Sequence, residues 1–259
     1  MTLTGLAIPE SVTDQSRLGA AIDARPVKPD VVAIWAQGLR LDAKAWREAR
    51  DRGIEAIVYA QTARWPAELI LSGFHDTEID RLAIDLMGTD TIVRLNQEAN
   101  GPGLRAEWNT WSPETYIAVF RYISDRIRYI AWDAQMAYCI TWRGLRKGRD
   151  DFARWYPGHD ACQIVGFDSY VTNPIQRPSR IWPVAIRTIR ETTPTKPVWV
   201  FETGIARGIP FRGRRLREML AVPGLAGVVV MDMDLMHHGV PHLWALNERL
   251  RRLWGRLGR

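Results

Sequence analysis

The sequence predicts an α/β fold, an eight-stranded (β/α)8 barrel, and three observations indicate it. The chain has 259 residues, close to the roughly 250 residues typical of this fold. Eight short apolar runs of β type alternate with amphipathic helical stretches. Several runs, such as Gly227–Met231, are apolar throughout, which is typical of strands buried on both faces of a parallel sheet. We therefore predict a single (β/α)8 domain over residues 1–259.

The eight predicted strands are short and mostly apolar. In chain order they span residues 4–8, 31–35, 56–60, 91–95, 137–141, 163–167, 198–201 and 227–231. No Gly-rich phosphate-binding fingerprint follows any of them, which disfavours a nucleotide-binding doubly wound sheet.

Capping residues mark several of the predicted helices. Gly53 and Gly88 suit C-caps, Asp76 and Thr77 are candidate N-caps, and Ser112 precedes a proline that favours a helix start. The predicted helices span residues 13–22, 43–52, 76–87, 112–129, 179–191, 214–220 and 242–257, and the longest predicted irregular stretch is 143–157.

Composition limits the function classes. Apolar residues make up 46% of the chain and charged residues 25%, as in an ordinary globular protein, and no apolar run approaches the ~20 residues of a membrane span. The first ten residues lack the features of a secretory signal. We therefore expect a cytoplasmic form, an extracellular protein trimmed of its leader, or export by another route.

The net charge of +6 comes largely from arginine. Two clusters stand out: Arg212, Arg214, Arg215 and Arg217, and then Arg249, Arg251, Arg252, Arg256 and Arg259. We favour solvated faces of the last two helices, with a basic tail contacting an anionic partner as the alternative. Because no nucleic-acid-binding motif accompanies the charge, no nucleic-acid partner is expected.

Cysteines and histidines give no metal-binding pattern. Cys139 falls in a predicted strand and Cys162 at the start of another, of approximate bounds 163–167, so both are expected to be buried and unpaired. His237 and His238 are adjacent, and neighbouring side chains on a strand point apart. We therefore expect neither a metal nor a cofactor.

Two strand ends carry the candidate chemistry. The segments of residues 94–101 and 198–204 each predict a buried strand that ends near a glutamate, Glu98 after strand four and Glu202 after strand seven. A carboxylate at the tip of an apolar strand costs free energy unless it is used, and both tips would face one mouth of the barrel. Two carboxyls about 5–5.5 Å apart are the equipment of a retaining glycosidase. We predict Glu98 as acid/base and Glu202 as nucleophile, the alternative being a structural ion pair, for example with Arg94.

Three neighbours are candidate partners of these glutamates. Gln97 could bind the 2-hydroxyl of a sugar. The hydroxyl of Tyr170 could donate to Glu202 and keep it ionised, the alternative being a core tyrosine with a local partner. Asp168 could orient substrate or pair with an arginine. Arg94 and Tyr170 are also counted among the candidate substrate-binding residues.

Tryptophans near strand ends are candidate sugar platforms. An indole face stacks on the C–H face of a sugar ring while its N–H finds a partner. Five of the twelve tryptophans lie at predicted strand ends or in the loops beyond them: Trp35, Trp65, Trp108, Trp111 and Trp142. Local packing is the alternative for each. Trp199 is expected in the core, and Trp244 and Trp254 in helix packing.

The order of several motifs resembles glycoside hydrolase family 26. The motifs lie at residues 73–83, 94–101, 112–123, 155–160, 165–170 and 196–204, about half of the chain. The resemblance implies a (β/α)8 barrel without a cofactor, Glu98 as acid/base, Glu202 as nucleophile and Tyr170 as the nucleophile's partner. It also implies a substrate among β-mannans, β-1,3-xylans and mixed-linkage β-glucans.

The chain departs from the family pattern at three places. Gln97 stands where the family has histidine, Ala99 where it has methionine, and no aromatic residue is evident near the end of strand eight. Asp232 and Asp234 lie there instead, either to bind a cationic or hydroxyl-rich sugar or to pair with arginines. Two alternatives follow: a hydrolase of the same fold acting on an unusual cell-envelope or exopolysaccharide glycan, and a catalytically silent carbohydrate-binding barrel. In each case we expect a monomer that binds an oligo- or polysaccharide.

Overall fold

Eight parallel strands close into a barrel in the order β1 to β8, which confirms the predicted fold class. The computed structural model describes residues 2–8, 15–100, 111–145, 151–232, 234–237, 240–243, 246 and 248–257. The strands are β1 Leu3–Ala7, β2 Val31–Trp35, β3 Glu55–Ala60, β4 Ile92–Leu95, β5 Gln135–Thr141, β6 Ile164–Asp168, β7 Val198–Thr203 and β8 Gly227–Met231.

Helices alternate with these strands. They are α1 Leu18–Asp23, α2 Ala43–Asp51, α3 Ala67–Leu71, α4 Asp76–Leu86, α5 Pro113–Ile130, α6 Asp151–Trp155, α7 Pro178–Thr192, α8 Arg212–Leu220 and α9 Glu248–Leu257, with 3-10 turns at Gln15–Arg17 and Trp142–Leu145. No helix in the described part of the chain is long and apolar enough to cross a membrane.

Capping explains where the longer helices begin and end. The Ser112 hydroxyl accepts a hydrogen bond from the Thr115 amide at 3.2 Å, as the sequence predicts. Gly53 and Gly88 follow α2 and α4 with φ of 69° and 76°, a conformation that glycine adopts without strain. The N-cap of α4 is His75 rather than Asp76 or Thr77, because Asp76 already lies in the first turn, where a carboxylate is favoured.

The predictions are wrong in three segments. The last helix begins at Glu248, not at residue 242, because strand β9 (Asp234–His237) pairs antiparallel with strand β10 (Val240–Leu243). The stretch 143–157, predicted as irregular, contains α6, and α3 was also not predicted; both have only five residues, too few for a helical period to show.

The core has two layers. Residues such as Val31, Ile57 and Val229 fill the barrel interior, and a larger layer lies between strands and helices. Trp199 is buried in the interior, as predicted, and stacks on Phe201 at 5.9 Å between ring centroids. Its ring uses the space beside Gly227, where an added Cβ would lie 2.2 Å from the indole. The barrel is therefore packed with side chains rather than open as a pore.

Other sequence expectations can be placed on this core. Trp254 is buried against the helical layer, as predicted, whereas Trp244 lies outside the described residues. Cys139 and Cys162 are buried and unpaired, although Cys162 precedes β6 instead of lying in a strand.

The first arginine cluster is not wholly solvated. Arg215 is buried, donates to Glu218 at 3.0 Å and to the Pro174 carbonyl at 2.9 Å, and so fastens α8 to the β6–α7 loop. In the second cluster, Arg252 is exposed and Arg251 pairs with Asp232.

Candidate active site

A β-bulge directs Glu202 toward the barrel interior. In the pairing of β6 with β7, Phe167 is opposite Val200 but Asp168 is opposite Glu202, so Phe201 is an extra residue. Regular alternation would place Phe201 and Glu202 on opposite faces. Here Phe201 packs inside the barrel and Glu202 contacts the interior Arg94. The bulge therefore turns a side chain that would face the helices toward the mouth.

Tyr59 stabilises this bulge from the opposite wall. Its hydroxyl donates to the carbonyl of Phe201, the extra residue. Burial raises the pKa of Tyr59 well above its usual value, so the hydroxyl keeps its proton and remains a donor. Sequence reasoning did not identify Tyr59, because nothing in a mid-strand tyrosine indicates which partner lies across the barrel.

Arg94 links two carboxylates at the centre of the barrel. One guanidinium nitrogen donates to Glu202 and another donates to Asp168, while the guanidinium lies 4.5 Å from the Tyr59 ring centroid and 5.7 Å from that of Phe201. The side chains of Arg94 and Asp168 have no exposed surface, and that of Glu202 is 11% exposed. Arg94 thus supports Glu202 from inside the barrel, and the arginine pairing predicted as one possibility for Asp168 is observed.

Tyr170 holds the second oxygen of the same carboxylate. Its hydroxyl donates to Glu202 Oε2 at 2.6 Å, which is the contact expected from the sequence. Burial and then the charge of Glu202 raise the pKa of Tyr170 well above its usual value. The two Glu202 oxygens therefore have separate donors, which fixes the plane of the carboxylate and stabilises its negative charge.

Two buried asparagines hold the loop that carries Glu98, three residues beyond the end of β4. Asn96 accepts from the Thr62 amide at 2.6 Å, and Asn100 accepts from the Thr141 amide at 2.8 Å. Asn96 and Glu98 have φ of 49° and 50°. This left-handed conformation costs on the order of 1–3 kcal/mol for a non-glycine residue and is concentrated at functional sites. The backbone of the loop is thus strained at Glu98, and the hydrogen bonds of Asn96 and Asn100 hold the loop on both sides of that residue.

The environment of Glu98 differs from that of Glu202. No hydrogen bond from another described residue reaches the Glu98 carboxyl, which is partly buried. Burial and then the charge of Glu202 raise the pKa of Glu98 to about 7, while Arg94 and Arg143 oppose the shift. Near neutral pH a large share of Glu98 therefore carries a proton, while Glu202 is held as an acceptor.

We expect the substitution Glu202→Gln to lower the pKa of Glu98 from about 7, because it removes a neighbouring negative charge. Carbon-13 NMR of labelled glutamate carboxyls measures this directly. Glu55 at the start of β3, whose pKa is raised mainly by burial, is the internal control and should not move. An unchanged Glu98 titration would contradict the coupling of the two carboxyls.

The same pKa determines how Glu98 affects stability. Because the folded-state pKa lies above the ordinary value of 4.5, the contribution of Glu98 to stability is fully present below about pH 4.5. It is lost as the pH rises through about 7.

A cavity of about 150 Å³ opens beside the Glu98 loop. Its walls are Trp35, Tyr59, Ala60, Gln61, Arg64 and Gln97. Trp35 is half-buried, with its ring centroid 4.4 Å from that of Tyr59. The structure thus brings together Trp35 and Gln97, two of the predicted substrate-binding residues.

The other predicted tryptophans are placed less uniformly. Trp65 is half-buried and stacks on His75 with centroids 4.0 Å apart, so one face of its ring is already covered. Trp111 and Trp142 are half-buried against the outer core layer. Trp108 lies outside the described residues, and its role stays a prediction.

Asp232 after β8 pairs with arginines. It accepts from Arg25 at 2.5 Å and Arg251 at 2.8 Å, and from the Leu246 amide at 2.7 Å. Of the two possibilities predicted for it, arginine pairing is therefore the one observed; the side chain of Asp234 is outside the described set. Among the residues that can be described, no group of three or more His, Cys, Asp or Glu side chains is placed to hold a metal ion.

Comparison with known proteins shows the fold. No protein-family model matches the chain, and no curated protein matches it by sequence. Among solved structures, an endo-β-1,4-mannanase of Cellulomonas fimi, in a double-mutant form, has a TM-score of 0.71 and 15% identity over 99% of this chain and 70% of its own.

Two further structures named as family 26 glycoside hydrolases are similar. A β-mannanase of Bacteroides ovatus has a TM-score of 0.69 and 18% identity, covering 100% of this chain and 88% of its own. The family 26 domain of a Prevotella bryantii endo-β-mannanase/endo-β-glucanase has a TM-score of 0.67 and 13% identity, covering 99% and 88%. The chain thus shares its barrel with members of the family that its motifs resemble.

Proposed function

We propose that this protein is a retaining endo-β-glycosidase that hydrolyses a β-linked polysaccharide by double displacement. Glu98 is the acid/base and Glu202 the nucleophile. The observation that carries the proposal is the contrast between two carboxyls at one mouth: Glu202 is held by Arg94 and Tyr170, and Glu98 has a pKa of about 7. In glycosidases the acid and the nucleophile are two carboxyls, and their different environments assign them their different roles.

The first half of the reaction uses both groups at once. A Glu202 oxygen attacks the anomeric carbon as the bond to the leaving oxygen breaks, and protonated Glu98 gives its proton to that oxygen. Arg94 and Tyr170 keep the attacking carboxylate in one orientation, which lowers the entropic part of the barrier. The product is a glycosyl ester of Glu202 and a shortened chain.

The second half reverses the roles. Glu98, now ionised, accepts a proton from water, and the resulting hydroxide attacks the anomeric carbon from the face that the leaving group occupied. The C–O bond to Glu202 breaks, and its carboxylate is released to the same two donors. The configuration of the sugar is retained because inversion occurs twice.

The similar solved structures support a polysaccharide substrate. They are named as mannanases, one of them also as a glucanase, and the motif resemblance adds β-1,3-xylan. Trp35 and Gln97 beside Glu98 supply an aromatic platform and an amide suited to a sugar ring. We place β-mannan first among the candidate polymers.

Digestion of a polysaccharide panel tests the hydrolase. Wild type and Glu202→Ala are incubated overnight with mannan, β-1,3-xylan, mixed-linkage glucan and a bacterial exopolysaccharide extract, and products are identified by mass spectrometry. We expect oligosaccharides from wild type alone. Product from neither protein on any polymer would count against the proposal, and a glycan array would then test the silent carbohydrate-binding barrel.

We expect Glu98→Ala to slow natural β-glycans by about 10²–10⁴-fold but to have little effect on the first step with aryl glycosides. A leaving group with a low pKa departs without receiving a proton, so the loss of the acid matters less. Steady-state kinetics on a polysaccharide and a dinitrophenyl glycoside measure the contrast. Gln97→Ala in the same loop is the control, since it retains the acid and should slow both substrates alike. Equal losses on both substrates with Glu98→Ala would contradict its role as acid.

A further inference from the structure

Exposed arginines lie beyond several strands at the mouth of the barrel. Four of them come after the C-terminal ends of β1, β2, β3 and β5: Arg17, Arg40, Arg64 and Arg143. Within the part of the chain that the structure describes, none of the four forms a salt bridge, although the charge of Arg143 acts on Glu98. All four are exposed, so their charge is available to a ligand.

The non-catalytic carboxylates of the same end are already engaged. Asp42 caps α2 by accepting from two backbone amides, Asp151 accepts from the Asn100 amide group at 3.3 Å, Asp168 is bonded to Arg94, and Asp232 is bonded to two arginines. None of these carboxylates is bonded to the four arginines, so the positive charge of the guanidiniums can act on a ligand of the opposite sign.

Arg64 stands at the point where this charge meets the cavity beside Glu98. It lines the cavity together with Trp35 and Gln97. A guanidinium presents parallel N–H donors that match a carboxylate, while the indole offers a face for the sugar ring. This opening therefore has an aromatic wall, an amide and an exposed guanidinium. Together they are complementary to a sugar that carries a carboxylate.

We propose that the substrate is an acidic polysaccharide and that Arg64 binds the carboxylate of a uronate-type sugar in this cavity. The inference rests on the proposed hydrolase function and specifies its substrate class. It implies that selectivity lies in binding beside the acid/base rather than in the chemical step.

The electrostatics around Glu98 agree with an anionic substrate. Arg143 is close enough for its charge to lower the pKa of Glu98. A carboxylate bound at Arg64 would add a negative charge beside the loop that carries Glu98, and an added negative charge favours the protonated form of a neighbouring carboxyl. An acidic substrate would thus help to keep the general acid protonated.

Two polymers with the same backbone provide the test. One is β-1,4-mannan, and the other is the same mannan partly oxidised at C6 to the uronate. We expect wild type to have a KM about tenfold lower on the oxidised polymer, since a charge-assisted hydrogen bond is worth about 1.5–3 kcal/mol. Added NaCl should raise KM on the oxidised polymer but not on mannan.

Arg64→Gln should remove this preference. We expect its KM on the oxidised polymer to rise about tenfold more than its KM on mannan, and Arg64→Lys should recover part of the difference. Arg81→Gln is the matched control, because Arg81 is an exposed arginine on α4 and its loss changes the net charge equally. Equal KM values of wild type on the two polymers, or the same behaviour from Arg64→Gln and Arg81→Gln, would overturn the inference.

A binding measurement separates this inference from the hydrolase proposal. If wild type cleaves neither polymer, Glu98→Gln protein is run through native gels containing each polymer. If the oxidised mannan slows the migration of Glu98→Gln protein and Arg64→Gln abolishes this effect, the result would support acidic-glycan binding even though the hydrolase proposal had failed. Equal mobility in the two gels would overturn the inference as well.

Discussion

Glu202→Ala should reduce kcat by on the order of 10⁴- to 10⁶-fold, the scale seen when a nucleophile is removed from a covalent-catalysis enzyme. Without the carboxylate no glycosyl ester can form, and Glu98 alone cannot open the glycosidic bond. Stopped assays on the polymer identified by the panel digestion measure the loss. Native-like thermal unfolding of the variant would show that the loss is chemical rather than structural.

Azide provides a sharper test of the same assignment. In Glu202→Ala, a small anion can enter the space left by the side chain and attack the anomeric carbon from the nucleophile's face. A β-glycoside with a good leaving group should then give the α-glycosyl azide by a single inversion, and NMR of the product shows its configuration. In Glu98→Ala the azide should instead attack the glycosyl ester and give the β product. If Glu202→Ala gave the β product and Glu98→Ala gave the α product, Glu98 would be the nucleophile and Glu202 the acid/base.

Arg94→Met should destabilise the protein by about 3–5 kcal/mol, the cost of removing one partner from a buried ion pair. Two carboxylates, those of Glu202 and Asp168, would lose their shared cation at the centre of the barrel. Burial already raises the pKa of Asp168 well above its usual value, and Arg94 opposes that shift. Urea denaturation at neutral pH measures the change, and turnover should fall with it because Glu202 loses one of its two donors.

A surface ion pair supplies the control. Arg52 bonds to Asp23 at 2.9 Å with the two side chains 26% and 50% exposed, so Arg52→Met should cost less than about 1 kcal/mol. Arg94→Lys keeps the charge but not the planar guanidinium that donates to both carboxylates. Its loss of stability should therefore lie between those of Arg94→Met and Arg52→Met. A loss from Arg94→Met no larger than that from Arg52→Met would show that Arg94 does not hold the site together.

Much of the fold could be predicted because its signals are local. Continuous apolar runs place all eight strands within about two residues of their observed bounds. The antiparallel pairing of β9 with β10 was missed because a four-residue strand has little periodicity to detect. The two glutamates could be predicted because a charged residue at the end of an apolar strand costs free energy unless it is used. This signal is visible in the sequence without knowledge of the tertiary structure.

The supporting residues could not be predicted in the same way. Depth within the barrel separates Arg94 and Asp168, which lie below the mouth, from Trp35 and Gln97, which line its cavity. A sequence does not show depth, so all four were assigned to substrate. Asn96 did carry a signal, because asparagine tolerates the left-handed conformation better than most residues.

The extra residue in β7 has a consequence for how this barrel can change. Deleting Phe201 would bring Glu202 directly after Val200, opposite Asp168 and still facing the interior, because the pairing with β6 already has that register. The deletion would instead remove the ring that stacks on Trp199 and the carbonyl that accepts from Tyr59. The extra residue thus lets one strand present two consecutive side chains to the interior, one apolar and one charged. A change in the length of this strand should therefore alter the packing around the Glu202 carboxylate rather than the direction in which it points.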